Sequence, residues 1–189
     1  ASIAIGIAAA SESRDPIVLA AVAGLVAGYL SMAAGEYVSV ASQADTEAAD
    51  LRIEADALEQ NPEGELRELA AIYEERGLEK DLAHKVAVAL TDHDALEAHA
   101  RDELGFTEPL RARPVQAALV SALSFLIGGV LPTAAAIITP AEHASIAIGA
   151  AGLFGLLTLG YLSAKAGGAP PLRSIVRLVI LGVAAMVTT

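Results

Sequence analysis

The most informative absences in this chain of 189 residues concern cysteine, aromatic side chains and catalytic motifs. It has no cysteine, which excludes disulfide bonds and thiolate metal sites. Aromatic residues make up only 4% of it, so its apolar residues are mainly Ala, Val, Ile and Leu. It has no phosphate-binding glycine loop, no nucleophile with a convincing base and no zinc-protease His-Glu motif. We therefore expect neither an enzyme nor an ATP-driven pump in this chain alone. Because no basic stretch opens it, we expect no cleavable signal peptide.

Charge is scarce outside one block, residues 44–110. That block holds 19 of the 23 acidic residues and 6 of the 12 basic ones, a net charge of -13, whereas the rest of the chain carries +2. Hydrophobic residues make up 54% of the chain, above the about 45–50% of soluble domains. The pattern predicts a membrane protein with an acidic block outside the bilayer. Such a block repels nucleic acid and attracts cations.

The apolar segments predict an all-α, multi-span membrane helix bundle. Crossing a bilayer takes about 20 apolar residues. Three segments reach that length and the two terminal ones do not, so we expect a five-span protein whose first and last spans are incomplete, with both ends trimmed. The segments, in order, are residues 1–10, 16–42, 114–138, 142–164 and 172–189.

Basic residues cluster at two connections that lie on the same side of the membrane if each segment spans it. They are Arg111, Arg113, Lys165, Arg173 and Arg177. Cytoplasmic loops are the ones rich in Lys and Arg, so this side, and with it the acidic block, is expected to be cytoplasmic. The expected domains are residues 1–43 with spans one and two, residues 44–110 as the acidic domain, and residues 111–189 with spans three to five.

The acidic block is predicted to be a domain of three helices. The first continues from the second span, because no strong breaker interrupts residues 36–60. Asn61 and Pro62 suit the N-cap and the first position of the next helix, which is expected to end near Gly77.

The last part of the block is predicted to be helical over residues 79–90 and again up to Leu104. Thr91, with Asp94 three positions later, resembles a capping box and is expected to open that final helix. Apolar residues recur at helical spacing, so the helices can pack together with their carboxylates outward.

Met32 and Glu36 stand out in the stretch SMAAGEYVSV, residues 31–40, because they lie four residues apart and share a helix face. An ionisable residue within a span costs several kcal/mol and marks a functional candidate. Small residues at a spacing of about four allow close approach of another helix. A carboxylate and a soft sulfur suit the passage of a divalent transition ion. The alternative is that Met32 fills the core and that Glu36 either snorkels toward the membrane surface or pairs with a neighbour.

Five side chains of the acidic block have the spacing of metal ligands. Glu65 and Glu68 are three residues apart on one face, Glu54 lies on the preceding helix, and His99 and Glu103 are four residues apart. Carboxylates with one imidazole suit Fe(II), Mn(II), Co(II) or Zn(II). A solvated acidic surface is the alternative, and it is the commoner origin of a charge run. The other three histidines have no such spacing and are expected at the surface.

Six stretches carry a family resemblance over almost the whole chain. They are ASIAIGIAAAS at 1–11, AGLVAGYLSMAAGEYVSVASQAD at 23–45, PEGELRELAAIYEERGL at 62–78, HARDELG at 99–105, GGVLPTAAAI at 128–137 and RSIVRLVILGVAAM at 173–186. In these stretches the chain resembles the vacuolar iron transporter family, in particular its bacterial members. The resemblance implies five spans, a cytoplasmic three-helix metal-binding domain, a homodimer, and export of Fe(II) from the cytosol coupled to protons.

The resemblance also implies roles for particular residues. It places Met32 at the pathway methionine, and it places metal ligands at Glu54, Glu65, Glu68, His99 and Glu103. Two positions depart from the family pattern, because one metal-binding glutamate falls at Ala57 and a carboxylate of the path falls at Gly24. Glu36 is a candidate to take over the second of these roles.

We therefore expect a transporter that exports a divalent transition metal, Fe(II) first and Mn(II) as the alternative, by proton antiport. It would serve iron homeostasis in the plasma membrane of a bacterium. A second hypothesis is a membrane-anchored metal sensor or buffer, which has no need of Glu36 in a span. A third is a structural membrane protein with a solvated acidic domain, which would bind no metal saturably.

Overall fold

The computed structural model describes residues 1–11, 13–107 and 111–187, and every regular element in those ranges is an α-helix. The all-α prediction is confirmed. The seven helices of the described ranges are α1 Ser2–Ala10, α2 Arg14–Gln60, α3 Pro62–Glu75, α4 Lys80–Asp102, α5 Pro114–Ile138, α6 Ala141–Ala166 and α7 Pro171–Val187. They form two compact units, residues 1–36 with 116–189 and residues 37–115.

Helices α2, α5 and α6 are long and apolar enough to cross a membrane. This confirms the prediction of a multi-span membrane protein. Helices α1 and α7 have 9 and 17 residues and are shorter than these three. Helix α2 also continues without interruption past the apolar stretch to Gln60, as expected from the lack of a breaker.

Alanine and isoleucine side chains form the buried centre of the first unit. It consists of Ala4, Ile17, Ala21, Ala136, Ala144 and Ile148, from helices α1, α2, α5 and α6. Glycines mark the closest approaches, since a Cβ atom at Gly28 would collide with the Phe125 ring and one at Gly160 would lie 2.9 Å from the Ile175 Cα. Helices in lipid gain little from burying apolar surface, so close backbone approach of this kind is what holds them together.

The second unit packs α3 against α4 around a small apolar core. Its buried members are Leu69, Ala70, Ala87 and Ala98, with Leu66, Tyr73 and Leu90 at the edge. The predicted start of α3 is confirmed, because the Gly64 N–H donates to the Asn61 side chain at 3.1 Å and Pro62 is the first helical residue. The helix ends at Glu75, just before Gly77, which has a φ of +98° and turns the chain.

Helix α4 is interrupted at Asp94, whose backbone is extended with φ -161° and ψ 99°. The Asp94 carboxylate accepts a hydrogen bond from the Glu97 N–H at 2.8 Å, so Asp94 is the N-cap of the second part. The expectation that Thr91 caps this helix is wrong. Asp94 and Glu97 have the N-cap to N3 spacing of a capping box, and Asp is a better N-cap than Thr. The helix ends at Asp102, two residues before the predicted Leu104.

Four side chains, Tyr73, Arg76, Arg101 and Asp102, tie the end of α4 to α3, and we call them the α3–α4 clasp. The Asp102 carboxylate accepts hydrogen bonds from the Tyr73 hydroxyl at 2.8 Å, from Arg76 at 2.6 Å and from Arg101 at 2.7 Å. Arg76 also donates to the Asp102 main-chain carbonyl at 3.0 Å, one of the last carbonyls of the helix, which have no partner within it. The Arg76 guanidinium lies 5.2 Å from the centre of the Tyr73 ring.

The clasp favours the ionised form of Asp102. Burial by itself raises the pKa of this carboxyl, whose side chain is 7% exposed, but the hydrogen bonds from Arg101, Arg76 and Tyr73 outweigh burial and lower the pKa to about 2. A carboxyl whose pKa is lowered by folding stabilises the folded state above its unfolded pKa of 3.8 and loses this contribution as the pH falls through about 2.

Asp102→Asn is expected to lower the free energy of unfolding of the second unit by about 1–2 kcal/mol near neutral pH. The figure lies below the full linkage value because Arg76 and Arg101 are partly exposed and water screens their charges. The difference should shrink toward pH 2, where the wild-type carboxyl also becomes neutral. Amide hydrogen exchange of α3 and α4, in the full chain in detergent, measures it.

Asp92→Asn is the matched control, because Asp92 is an exposed acid of the same helix, and it should leave exchange unchanged. Equal protection of wild type and Asp102→Asn near neutral pH would contradict a stabilising role of the clasp.

Candidate metal centre

Three helices of the second unit each contribute one side chain to a compact group of ligand atoms. Glu54 of α2, Glu65 of α3 and His99 of α4 each offer an atom, and these atoms all lie within 4.8 Å of one another. Glu65 lies in the first turn of α3, where the positive end of the helix dipole favours a carboxylate. His99 is flanked by the buried Ala98 and Ala100, so its ring lies inside the unit. Separate parts of the sequence thus meet at one point.

The imidazole of His99 is completely buried and lies between two carboxylates. Its Nδ1 is 2.9 Å from Glu54 Oε1 and 3.0 Å from Glu103 Oε2. The contact with Glu103 is a hydrogen bond, and the one with Glu54 is close without the alignment of one. Glu54 is itself 6% exposed, whereas the Glu103 side chain is 29% exposed. The carboxylates of Glu54 and Glu103 therefore lie against the buried imidazole, and Glu65 offers a third carboxylate nearby.

Two of these buried ligand atoms, Glu54 Oε1 and His99 Nε2, have no hydrogen-bond partner among the residues that the structure describes. A buried polar atom without a partner costs about 1–3 kcal/mol. Carboxylate oxygen and imidazole nitrogen are the donor atoms that Fe(II), Mn(II), Co(II) and Zn(II) accept. The residues present therefore fit a divalent transition cation.

Glu54 lies beyond the apolar part of α2, within the second unit. Burial raises the pKa of Glu54, the charges of Glu103, Glu65 and Glu68 raise it further, and His99 opposes them. A raised pKa means that a proton competes with a metal ion for this carboxylate nearer to neutral pH than at an ordinary glutamate.

The other candidate residues lie outside this group of three. Glu68 is exposed on α3, and its charge reaches the centre as one cause of the raised pKa of Glu54. Met32, 45% exposed, and Glu36, also exposed, lie on the part of α2 that belongs to the first unit. The remaining histidines, His84, His93 and His143, are exposed, as predicted.

The spacing of residues in the sequence named the side chains that converge, but it did not distinguish them from neighbouring carboxylates that stay apart. It gave Glu65 and Glu68 equal standing, and the fold turns Glu65 toward His99 while Glu68 stays exposed. The sequence pattern placed Asp94 three positions after an N-cap at Thr91, whereas Asp94 is itself the N-cap of the segment that carries His99. The signal was present, because an acid followed by Glu97 three positions later is itself a capping box.

Comparison with known proteins identifies the family. The model of the VIT family matches residues 1–189. The chain belongs to the VIT family. A vacuolar iron transporter of Acanthamoeba castellanii is 45% identical to this VIT-family chain over 182 residues, which cover 96% of the chain and 70% of that relative. Proteins named vacuolar iron transporter 1 from Arabidopsis thaliana and Oryza sativa subsp. japonica are each 30% identical over 184 residues, covering 96% of the chain and 74% and 73% of those proteins.

Family membership confirms the resemblance to the vacuolar iron transporter family, whereas bacterial origin stays a prediction. The matched range includes both units of the structure, so the match covers the acidic unit as well.

In the metal-free protein, Glu54→Gln is expected to stabilise the second unit slightly at neutral pH. A carboxyl whose pKa is raised by folding stabilises the folded state fully below its unfolded pKa of 4.5. This stabilisation is lost as the pH rises through the pKa of the folded state. Glutamine keeps the shape of the side chain and stays neutral at every pH. Amide hydrogen exchange of α3 and α4 with a chelator present, compared at each pH from about 5 to 8, measures the difference.

Glu59→Gln, at an exposed glutamate of the same helix, should show no such trend and serves as the control. A clear loss of protection in Glu54→Gln at neutral pH would instead mean that the charge of Glu54 stabilises the fold through His99.

Proposed function

We propose that this chain transports divalent transition metal, Fe(II) in the first place, out of the cytosol, and that Glu54, Glu65, His99 and Glu103 hold the ion before transport. The observation that carries the proposal is the convergence of three side chains, whose potential ligand atoms lie within 4.8 Å of one another. Two buried atoms of this group, Glu54 Oε1 and His99 Nε2, have no hydrogen-bond partner in the part of the chain that the structure describes. The names of the relatives, vacuolar iron transporters, support iron as the ion.

Ligand chemistry favours a transition ion over the abundant hard cations. Mg(II) and Ca(II) prefer oxygen ligands throughout, whereas an imidazole is a good ligand for Fe(II), Mn(II), Co(II) and Zn(II). His99 thus disfavours Mg(II) and Ca(II) at the centre. Mn(II) accepts the same ligands as Fe(II) and is the alternative substrate. Glu68, exposed beside the centre, could add a carboxylate for a second ion.

Met32 and Glu36 would line the path across the membrane. Glu36 is the only charged residue between Asp15 and Asp45. The two side chains are one helical turn apart, about 6 Å along the axis. A Cβ atom at Gly35 would meet no atom within 4 Å, so space is open beside this face. A second copy packed here would give a homodimer in which the ion meets two sulfurs and two carboxylates.

Proton antiport follows from the same carboxylates. Metal and proton compete at Glu54, whose pKa is raised by burial, and Glu36 could take up a proton on the return step. The acidic unit would lie in the cytoplasm between spans two and three of five, with α1 and α7 as the outer two. The membrane would be the plasma membrane of a bacterium. A membrane-anchored metal buffer would use the same centre but would leave Glu36 without a role.

Glu65→Gln is expected to weaken metal binding at the centre by at least tenfold, because it removes a charged ligand and keeps the side-chain shape. Isothermal titration of Co(II), Mn(II) and anaerobic Fe(II) into the full chain in detergent measures the effect. Affinity should also fall as the pH is lowered through the raised pKa of Glu54, since the proton displaces the metal.

Glu63→Gln is the control for this experiment, because Glu63 is an exposed acid of the same helix turn. Unchanged affinity and stoichiometry in Glu65→Gln would remove this residue from the ligand set. Weak, unsaturable binding by the wild type would favour a solvated acidic surface.

Met32→Leu and Glu36→Gln are expected to reduce Fe(II) flux into proteoliposomes while folding is kept. Leucine preserves volume and apolarity at a cost of under about 1.5 kcal/mol, but it offers no sulfur, so transition-metal flux should fall selectively. Glutamine preserves shape without charge, so flux driven by a proton gradient should be lost or strongly slowed. Metal-sensitive and pH-sensitive dyes in the lumen record both ions.

The chain supplies matched controls for both substitutions. Met186 is its other methionine and Glu142 is an exposed acid, so Met186→Leu and Glu142→Gln should transport like wild type. Wild-type flux in Met32→Leu and Glu36→Gln would mean that the ion crosses elsewhere. Saturable binding without flux in the wild type would favour the metal buffer.

A further inference from the structure

The histidine of the candidate centre lies on a short helical segment that is separated from the rest of α4. The interruption at Asp94 divides the helix, and residues 95–102 follow it. His99 lies within this segment and Glu103 directly follows it. The buried neighbours Ala98 and Ala100 are small. Alanine side chains are too small to interdigitate with a neighbouring helix, so they fix the position of this segment along α3 only weakly. Other contacts are needed to hold it there.

Side chains hold the segment at both ends. At its start, the Asp94 carboxylate accepts the Glu97 N–H at 2.8 Å, a bond within the same local stretch. At its end, the α3–α4 clasp joins Asp102 to another helix through both its carboxylate and its main-chain carbonyl. Of these two sets of contacts, only the clasp connects the segment to Tyr73 of α3, the helix that carries Glu65, and to the adjoining Arg76. The clasp therefore adds hydrogen bonds between this segment and the α3 end of the unit to the apolar packing that Ala98 shares with Leu69 and Ala70.

The clasp also fixes the backbone from which Glu103 extends. Arg76 makes one hydrogen bond to the Asp102 carboxylate and one to its carbonyl, which sets the orientation of that peptide. The next N–H along the chain, that of Glu103, donates to the His99 carbonyl at 2.9 Å. The Glu103 side chain then returns to His99 Nδ1 at 3.0 Å. Movement at Asp102 would shift two members of the centre together.

We propose that Arg76 and Tyr73, acting through Asp102, are positioning residues of the metal centre, so that the clasp sets metal affinity as well as stability. This inference rests on the proposed metal binding by Glu54, Glu65 and His99. Arg76 and Tyr73 are not ligands, because both act on Asp102. Substitutions outside the ligand set of a metal site typically cost about 10–100-fold in affinity when they disturb ligand orientation.

The test is a titration of the full chain in detergent with Co(II), whose visible absorption reports coordination geometry. Arg76→Gln removes the guanidinium that donates to the carboxylate and to the main-chain carbonyl of Asp102. Tyr73→Phe removes one hydrogen bond to the Asp102 carboxylate but keeps the aromatic ring at the edge of the core. Arg76→Gln is expected to raise the Co(II) Kd by about tenfold, and Tyr73→Phe by less. Both should change the visible spectrum at saturating metal.

Two controls separate positioning from plain destabilisation. Arg67→Gln replaces an exposed arginine of the same helix and should bind as wild type. Ala87→Gly loosens the buried core in the first part of α4 and should lower thermal stability, with an unchanged Kd and spectrum. All titrations are run at a temperature where circular dichroism shows each variant to be folded.

The outcomes distinguish this inference from the function on which it rests. A wild-type Kd and spectrum in Arg76→Gln, with binding lost in Glu65→Gln, would overturn the positioning role alone. Equal loss of affinity in Ala87→Gly would also overturn it, since instability would then explain the effect. Absence of saturable Co(II) binding in the wild type would overturn both proposals.

Discussion

The cost of removing charge from water governs the second unit. Glu54 and His99 are buried, yet each has a ligand atom without a hydrogen-bond partner in the described structure. Like-charged neighbours add to this cost, because Glu103, Glu65 and Glu68 raise the pKa of Glu54. The apolar α3–α4 packing offsets part of this cost. The hydrogen bonds of the α3–α4 clasp add to this offset.

A divalent cation would reverse the sign of this interaction. Without metal, converging carboxylates repel one another and favour protons. With metal, the same geometry supplies ligands that are already oriented, so little additional ordering is needed on binding. If the proposed metal binding holds, the second unit would be more stable with the ion bound than without it.

The first unit depends on a different constraint. Its helices gain little from apolar burial in lipid, and they pack where glycines and alanines allow close approach, as Gly28 does against Phe125. Met32 and Glu36 are exposed on this unit, and the neighbouring Gly35 leaves open space. A carboxylate at an uncovered helix face is unfavourable in lipid, and a proposed second copy of the chain would cover Glu36.

The sequence by itself determined the elements that depend on local chemistry. Long apolar runs predicted the helices α2, α5 and α6. In lipid a single segment can satisfy its own backbone hydrogen bonds only as a helix. Asn61 and Pro62 gave the start of α3, since a cap needs only neighbouring atoms. The ligand types were also readable, as helical spacing put Glu65 near Glu68 and His99 near Glu103. The start of the last part of α4 was also predictable. Asp94, which is a better N-cap residue than Thr91, caps it.

The tertiary structure alone decided which of these residues meet. Glu54, Glu65 and His99 come from three helices, and no periodicity within one helix fixes how another packs against it. It also decided that Glu65 turns inward while Glu68 stays exposed, and that Tyr73 and Arg76 grip Asp102 across 29 and 26 residues of sequence. Distances between segments depend on the packing of the whole unit, whereas caps and spans depend on a few adjacent residues. This is why the sequence determined the types of the candidate ligands, whereas the fold determined which of them converge.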